Sequence, residues 1–365
     1  MMKNPKEITR IQTAAILVST IIGVGVLHLP LVAVEAGQTS APVVTFLASC
    51  LALAAVWIST KLGMRFPRKT FVQYSEVIVG KWLSWFGSGL IIAFFAVLTA
   101  LTSREFGAVV VTSVLRATPL EVTVLVMLLL AVISARLDSR SFAYIHLFYL
   151  PFMMIPVIFI VLLSLQHAYP LFLFPIFDTS APHMLGGIFT IAALFQGSFV
   201  ITTVIPEMRH PHKAMLPALM GVGIAGLLYV FVVIAVLAVF GHGETEKLLW
   251  PTLELAKATA IPTNFLERLD AMFIAVWVTA VFTTLLSSYY VTVHEMSKLF
   301  RLQDHRMLTL FLLPFVFTIA MLPSNVLNLY DIIVKVGLFG LLLTIVYPGL
   351  LLIVSIVRGL KEDSL

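Results

Sequence analysis

Thr20-Ile21-Ile22-Gly23-Val24-Gly25-Val26, followed by Pro30, is an apolar stretch that glycine interrupts near its middle. A second interrupted stretch, Phe195-Gln196-Gly197-Ser198, followed by Pro206, lies about half a chain later. Hydrocarbon offers no water to the backbone of a broken helix, so such breaks survive only where they are buried in protein or line a cavity. Paired breaks at corresponding places in two halves of a membrane protein indicate a binding site for a small molecule.

The composition predicts a membrane protein. Hydrophobic residues make up 60% of the chain and charged residues only 11%, with a mean hydropathy of +1.05. Soluble domains have roughly 45–50% apolar and about 25% charged residues. A membrane-spanning segment follows Met1-Met2-Lys3-Asn4-Pro5-Lys6, and we see no small-residue cleavage site of a signal peptide. The single cysteine, Cys50, excludes an intramolecular disulfide.

Ten apolar segments approach the roughly 20 residues that a spanning helix needs. They cover residues 9–33, 41–63, 87–114, 120–136, 142–165, 184–206, 214–240, 266–294, 307–323 and 332–357. Most of the 23 Lys and Arg residues fall in alternate connections. The positive-inside rule therefore predicts that both termini lie in the cytoplasm, as an even number of spans requires. The net charge of +5 is explained by this topology and does not indicate a nucleic-acid partner.

Breaks in the first and sixth of ten spans divide the chain into two halves of five. Five is odd, so the second half enters the membrane from the opposite side, which predicts an inverted repeat. We expect one transmembrane domain over residues 1–365, with repeats at about 9–165 and 184–357. A helix from Phe71 to Trp85 is expected at the membrane interface, with Trp82 and Trp85 at headgroup depth. A short packed element is expected around Leu248-Leu249-Trp250-Pro251.

The polarity of the two breaks predicts the ligand class. The outer half of the first helix begins at its break, so the free amides of Gly23, Val24 and Gly25 suit a carboxylate. The outer half of the sixth helix ends at its break and offers the carbonyls of Phe195 and Gln196, which suit an ammonium group. The combination describes an α-amino acid. The predicted ligand-binding residues are Thr20, Ile22, Gly23, Val24, Gly25, Phe195, Gln196, Gly197, Ser198, Thr284 and Ser287.

Charged side chains are expected away from the middle of the spans. We find no Asp or Glu near the middle of any segment, which argues against polycationic ligands and against a carboxylate proton relay. Arg104, Glu105 and Glu207 are assigned structural or gating roles. Arg104 lies inside a span and is expected to pair with Glu105 or to extend to the interface.

The eighth predicted span carries the hydroxyls of Thr283, Thr284, Ser287 and Ser288. Two interpretations of them stay open. Thr283 and Ser287 are candidates for a sodium site, and Ser and Thr are also common where membrane helices pack. His28 and His146 stand alone, with no partner at metal-ligand spacing, and are interpreted as packing residues. We therefore predict neither a cofactor nor a resident metal other than this sodium.

Two sets of motifs resemble known families. Ile22-Gly23-Val24-Gly25-Val26 with Pro30, and Phe195 and Gly197 running to Glu207, Pro211 and Pro217, resemble the permeases of the amino acid–polyamine–organocation superfamily. Arg104-Glu105-Phe106, Thr118-Pro119, Leu249-Trp250-Pro251-Thr252, Glu267-Arg268 and Trp277 resemble the endospore germination permeases, the B subunits of spore nutrient receptors. The resemblance implies an all-α, LeuT-like fold of ten spans with broken first and sixth helices.

The resemblance also implies a function. It implies a nutrient-sensing subunit in the inner membrane of the spore, acting with an A-type membrane subunit and a C-type lipoprotein. Phe195 would then be an aromatic lid over the ligand, or else an ordinary core residue. The alternative is a sodium- or proton-coupled amino acid transporter, and a weaker third is a ligand-gated pathway for water or ions. Catalytic and phosphate-binding motifs are absent from the sequence, so we do not expect an enzyme.

Overall fold

The computed structural model describes residues 8–23, 25–176, 181–259 and 269–362. These residues form fourteen α-helices and several short 3₁₀ turns. The helices are α1 (Arg10–Ile22), α2 (Gly25–Gly37), α3 (Ala41–Arg65), α4 (Phe71–Val79), α5 (Lys81–Ser113), α6 (Leu120–Ala135), α7 (Ser139–Ser164), α8 (Ala181–Ala193), α9 (Ile201–Val204), α10 (Met215–Thr245), α11 (Pro251–Ala258), α12 (Leu269–Leu299), α13 (Arg306–Met321) and α14 (Val326–Val357).

The long helices are those of a multi-pass membrane protein. Within the described residues, six helical stretches are long and apolar enough to cross a bilayer, and a bent pair raises this to seven. One of the six, Gly25–Arg65, joins α2 to α3. The helices α1, α6 and α13 are apolar but shorter. The lengths of the described helices therefore establish six or seven spans, and the total of ten stays a prediction.

Both predicted helix breaks are present. Helix α1 ends at Ile22, and Gly23 leaves helical geometry with φ −40° and ψ −109° before α2 begins at Gly25. The second break separates Pro182–Ala193 from Gln196–Glu207, and the two pieces are bent by 43°. In the second piece, 3₁₀ turns at Gln196–Val200 and Ile205–Glu207 flank α9. Helix breaking at these sites is therefore encoded locally.

The broken helices are enclosed by the bundle. Helix α1 packs against α7, α10 and α12, and α8 packs against α2, α3 and α14. Gly221 in α10 allows a close crossing with α1, because an added Cβ would lie 2.7 Å from Leu17 Cβ and 3.1 Å from the Ala14 carbonyl. Small residues at such crossings are how membrane helices gain packing contacts. The unwound backbone therefore faces protein, as the membrane requires.

The predicted interface helix is shorter than expected. It ends at Val79, where Gly80 takes a φ of +83° that glycine adopts without strain, and α5 begins at Lys81. Trp82 and Trp85 are exposed but belong to the first turns of α5. Helix α4 instead packs against α5, α12 and α14. The short element expected after Leu248 is present as α11.

Candidate binding site at the helix breaks

A cavity of about 110 Å³ lies where the two breaks meet. Thr20 and Gly25 line it from the first break, and Gln196 and Gly197 from the second. Apolar side chains of α5 and α14 form much of the remaining wall: Leu98, Leu101, Ile333, Val334 and Val336. Polar groups converge on it from α5 and α12, namely Thr102, Glu105, Thr284 and Ser288. A small apolar cavity with a few convergent polar groups is typical of a small-molecule site.

The predicted ligand-binding residues divide into two groups. Thr20, Gly25, Gln196, Gly197 and Thr284 line the cavity. Ile22, Gly23, Phe195, Ser198 and Ser287 lie off its wall, and Val24 lies outside the described residues. The breaks therefore supply part of the wall, and the wall also contains residues that the local pattern did not indicate.

Side chains cap the carbonyls that α1 leaves free at its end. Thr283 Oγ1 donates to the Ser19 carbonyl at 3.0 Å, and Thr284 Oγ1 donates to the Thr20 carbonyl at 2.8 Å. The Tyr229 hydroxyl donates to the third carbonyl, of Ile21, at 2.6 Å. The last carbonyls of a helix need such partners when they are buried. The threonine hydroxyls predicted for sodium or ligand therefore also hold the first break against α12, and Tyr229 holds it against α10.

His146 joins α1, α7 and α12 directly beside this break. It is fully buried, with its Nδ1 2.5 Å from Ser19 Oγ and its Nε2 3.1 Å from Ser287 Oγ. Ser287 Oγ also lies 2.6 Å from Thr20 Oγ1. The sequence interpretation of His146 as a packing residue missed this network, because the partners lie more than 100 positions away along the chain. The hydroxyl of Ser287, a candidate for sodium, is engaged by this imidazole.

Two glycines are required by close approach at the breaks. A Cβ on Gly23 would lie 1.8 Å from Thr284 Oγ1, and one on Gly197 would lie 2.7 Å from Thr20 Cγ2. Real Cβ atoms essentially never show contacts this short. Gly23 thus lets α12 reach the first break, and Gly197 lets the two breaks touch.

Some polar groups of the second break are already hydrogen-bonded within the protein. The Phe195 carbonyl accepts the Ser198 amide at 2.9 Å, and Gln196 Nε2 donates to the Gly337 carbonyl. The Phe195 ring is buried against Tyr229 with ring centroids 5.1 Å apart. This packing suits the core interpretation of Phe195 more than a lid over the cavity.

A layer of polar side chains closes one end of the cavity. This end lies toward the face of the bundle that holds Trp250, which we call the Trp250 face. Tyr330 donates to Glu105 Oε1 at 3.0 Å and accepts from Trp250 Nε1 at 2.8 Å. His28 stacks on Tyr330 with centroids 3.8 Å apart and donates from Nδ1 to the Leu249 carbonyl at 3.2 Å. The Trp-Pro-Thr motif thus packs over the site.

Glu105 corrects two expectations from the sequence. Its carboxyl is 6% exposed and lines the cavity, so an acidic side chain does reach the binding region. The expected pairing with Arg104 is not what the described residues show, because Arg104 Nη2 donates to the Pro323 carbonyl at 3.0 Å. Adjacent positions on a helix project in directions about 100° apart, so neighbours in sequence separate in space.

Beyond this layer lies a wider vestibule of about 890 Å³ that opens on the Trp250 face. The cavity and the vestibule share His28, Val32, Thr190, Tyr330 and Val334 in their walls. Those shared residues therefore form the partition between an enclosed site and an open approach.

The opposite face, called here the Ile8 face, is closed by backbone pairing. The Ile8 amide donates to the Glu207 carbonyl at 3.2 Å, and the Arg209 amide donates to the Ile8 carbonyl at 3.0 Å. Glu207, predicted for gating, takes part here through its main chain. Glu295, 1% exposed, accepts from the Val72 amide at 3.2 Å and from Thr203 Oγ1 at 3.0 Å. These contacts join α4, α9 and α12 beneath the cavity.

Comparison with known proteins decides the family. The family model described as "Spore germination protein" matches residues 7–328. The chain belongs to this family. Spore germination protein YndE of Bacillus subtilis (strain 168) is 26% identical over 97% of this chain and 98% of that protein. Spore germination protein B2 of the same organism is 24% identical over 89% of each chain. The predicted Glu267-Arg268 motif lies outside the described residues.

Solved structures establish the fold of this germination-family permease. A crystal structure of MhsT in complex with L-phenylalanine matches with a TM-score of 0.77 at 12% identity, covering 97% of this chain and 90% of that one. Mhp1, a nucleobase-cation-symport-1 family transporter in a closed conformation, matches with a TM-score of 0.68 at 12% identity, covering 89% and 74%. The fold is therefore the LeuT-like transporter fold with broken first and sixth helices.

Proposed function

We propose that this protein is the ligand-sensing, permease-like subunit of a spore germination receptor, and that it binds an amino acid or similar nutrient in the cavity at the helix breaks. The observation that carries the proposal is the cavity itself, which both breaks line with Thr20, Gly25, Gln196 and Gly197. Membership of the spore germination family supports a role in germination, and the position of the cavity at the two breaks supports this cavity as the binding site.

An α-amino acid suits the two breaks. Helix α2 begins at Gly25, so its first amides carry the positive end of a helix dipole where it lines the cavity, which favours a carboxylate. The ammonium group then lies against the second break, at Gln196 and Gly197. The bound L-phenylalanine named for MhsT supports an amino acid as the ligand class in this fold. The apolar wall of α5 and α14 is left for the ligand's side chain.

Sensing requires two conformations with different affinity for the ligand, since a ligand that binds both equally shifts nothing. The closed Ile8 face and the open vestibule on the Trp250 face define one of the two. The second is one in which the contacts of α1 with α7 and α12 have changed. We propose that partner subunits, an A-type membrane protein and a C-type lipoprotein, detect that change in the inner membrane of the spore.

The basic residues support an orientation for this arrangement. The N-terminal connection and the alternate ones carry most of the Lys and Arg. The positive-inside rule then places the Ile8 face in the cytoplasm and the vestibule outside it. Ligand would reach the cavity from the vestibule, past His28 and Tyr330.

The second candidate function is secondary transport of an amino acid, favoured by the two transporters that share the fold. In it, the same cavity opens alternately to the two faces. The two functions differ in whether ligand crosses the membrane.

Reconstitution distinguishes them. The purified protein would be tested in liposomes with a panel of L-amino acids and their D-enantiomers, by thermal unfolding and by counterflow of labelled ligand. Stabilisation by an L-amino acid without counterflow is the expected result for a sensor. Robust counterflow would identify a transporter. If no amino acid raises the unfolding temperature, the proposed ligand class is wrong.

A further inference from the structure

Glu105 has an unusual environment for an acidic residue. It lies in α5, is 6% exposed and lines the cavity near its Trp250 end. A buried carboxyl is costly unless it is hydrogen-bonded or paired with a cation. Among the described residues, the ion pairs involve other side chains, and the neighbouring Arg104 is directed to the Pro323 carbonyl.

Within the part of the chain that the structure describes, one donor reaches this carboxyl. The Tyr330 hydroxyl donates to Oε1 at 3.0 Å. A carboxylate can accept about four hydrogen bonds, so most of its capacity is left for whatever occupies the cavity. The Tyr330 hydroxyl itself is already used, because it also accepts from Trp250 Nε1 at 2.8 Å.

The carboxyl is also held in position. Stacking of His28 on Tyr330 and the hydrogen bond from Trp250 fix the phenol, and the phenol fixes the carboxyl. A polar group whose orientation is fixed before binding loses little on binding and discriminates strongly between ligands. The cavity wall also contains apolar residues of α5 and α14, such as Leu98, Leu101 and Ile333.

We propose that Glu105 determines the specificity of the site by accepting a hydrogen bond from the end of the ligand's side chain. The ligand is then an amino acid with a short apolar stem and a terminal N–H or O–H donor, in preference to an aliphatic or acidic amino acid of the same size. This inference rests on the proposed function, because it assumes that the α-amino and α-carboxyl groups occupy the breaks.

Leucine, asparagine and aspartate test it, since their side chains are nearly equal in size and differ in the terminal group. Affinities would be measured for the full-length protein by ligand-induced thermal stabilisation. The variants are Glu105→Gln and, as a matched control, Glu244→Gln, which changes an exposed carboxylate paired with Lys247. In the wild type and the control, we expect asparagine to bind best and aspartate worst.

Glu105→Gln is expected to reduce the preference for asparagine over leucine by about tenfold, which corresponds to the free energy of one hydrogen bond. Binding of aspartate should change less than binding of asparagine, because its side-chain carboxylate has no hydrogen to donate to Glu105. If Glu105→Gln weakens all three ligands equally, Glu105 holds the α-ammonium group and the side-chain assignment is wrong. If it changes none of them, Glu105 does not contact the ligand.

Tyr330→Phe keeps the inference testable if Glu105→Gln fails to fold. It removes the donor that positions the carboxyl, and we expect it to reduce the asparagine preference, measured as the ratio of the asparagine and leucine affinities. An unchanged preference would overturn the inference. Failure of every amino acid to stabilise the wild type would instead contradict the proposed function, so the two failures are distinguishable.

Discussion

Replacing Gly23 by alanine tests whether the first break is held by direct contact with α12. The added Cβ would lie 1.8 Å from Thr284 Oγ1 and 2.6 Å from Thr284 Cβ. Thr284 must therefore move, and overpacking of this kind costs about 1–3 kcal/mol. Moving it also breaks its 2.8 Å hydrogen bond to the Thr20 carbonyl, which contributes about 1 kcal/mol. The total expected loss in the free energy of unfolding is about 2–4 kcal/mol.

The assay is thermal unfolding of the purified protein in detergent without ligand. The matched control is Gly223→Ala in α10, where no atom lies within 4 Å of the added Cβ. That control should be neutral or gain up to about 1 kcal/mol from helix propensity.

A second substitution sharpens the test. Gly23→Ala combined with Thr284→Gly should recover part of the lost stability, because the new methyl occupies the space that the threonine leaves. The next contact, with the Ala280 carbonyl at 3.1 Å, is tight but needs only a small shift. Unfolding of Gly23→Ala at the wild-type temperature, or an equal loss in Gly223→Ala, would refute the reasoning.

Four further predictions concern the cavity, the buried histidine, sodium and a helix cap. Gly25→Ala places a Cβ on the cavity wall, 3.0 Å from the Tyr229 hydroxyl. It should lower the ligand affinity measured by titration by about tenfold or more. An unchanged affinity would exclude Gly25 from the binding site. His146→Ala should lower the free energy of unfolding by about 1–3 kcal/mol, because its hydrogen bonds to Ser19 and Ser287 are lost. Replacing sodium by choline should leave the ligand affinity of the wild type unchanged. A requirement for sodium would instead support a sodium site at Thr283 and Ser287. Asp138 caps α7 by accepting from the Ser141 amide at 3.2 Å, and hydrogen bonds from the Ser141 side chain and, to a smaller extent, from this amide lower the pKa of its carboxyl. Asp138→Ala should therefore cost about 0.5–2 kcal/mol at neutral pH. This difference should disappear as the pH falls below the ordinary pKa of an aspartate and through the lowered pKa of Asp138 in the folded protein; a difference that persists in acid would contradict this.

The sequence predicts the features that depend on local chemistry. Glycine at positions 23 and 197 marks the breaks, because loss of helical geometry follows from a few neighbouring residues. The alternation of basic connections and apolar segments likewise gives a multi-pass topology. The extra length assigned to the helix at Phe71 shows the limit of this approach, since Gly80 ends that helix between Val79 and Lys81.

The composition of the cavity wall could not be predicted in the same way. Glu105 and Arg104 are adjacent in sequence, but the first lines the cavity and the second contacts Pro323. Which side of a helix faces the cavity depends on how α5 is rotated in the bundle. His146 shows the same limit, because its two serine partners lie on helices that only the tertiary fold brings together.

The junction between Ile8 and residues 207–209 has a consequence for mutagenesis. Both of its hydrogen bonds run between main-chain atoms, so an alanine scan across this region would leave them intact and would score the contact as silent. Proline at position 209 removes one of the two donors, the Arg209 amide. At this junction, main-chain atoms therefore join the segment that precedes α1 to the segment that follows α9, whichever side chains stand there.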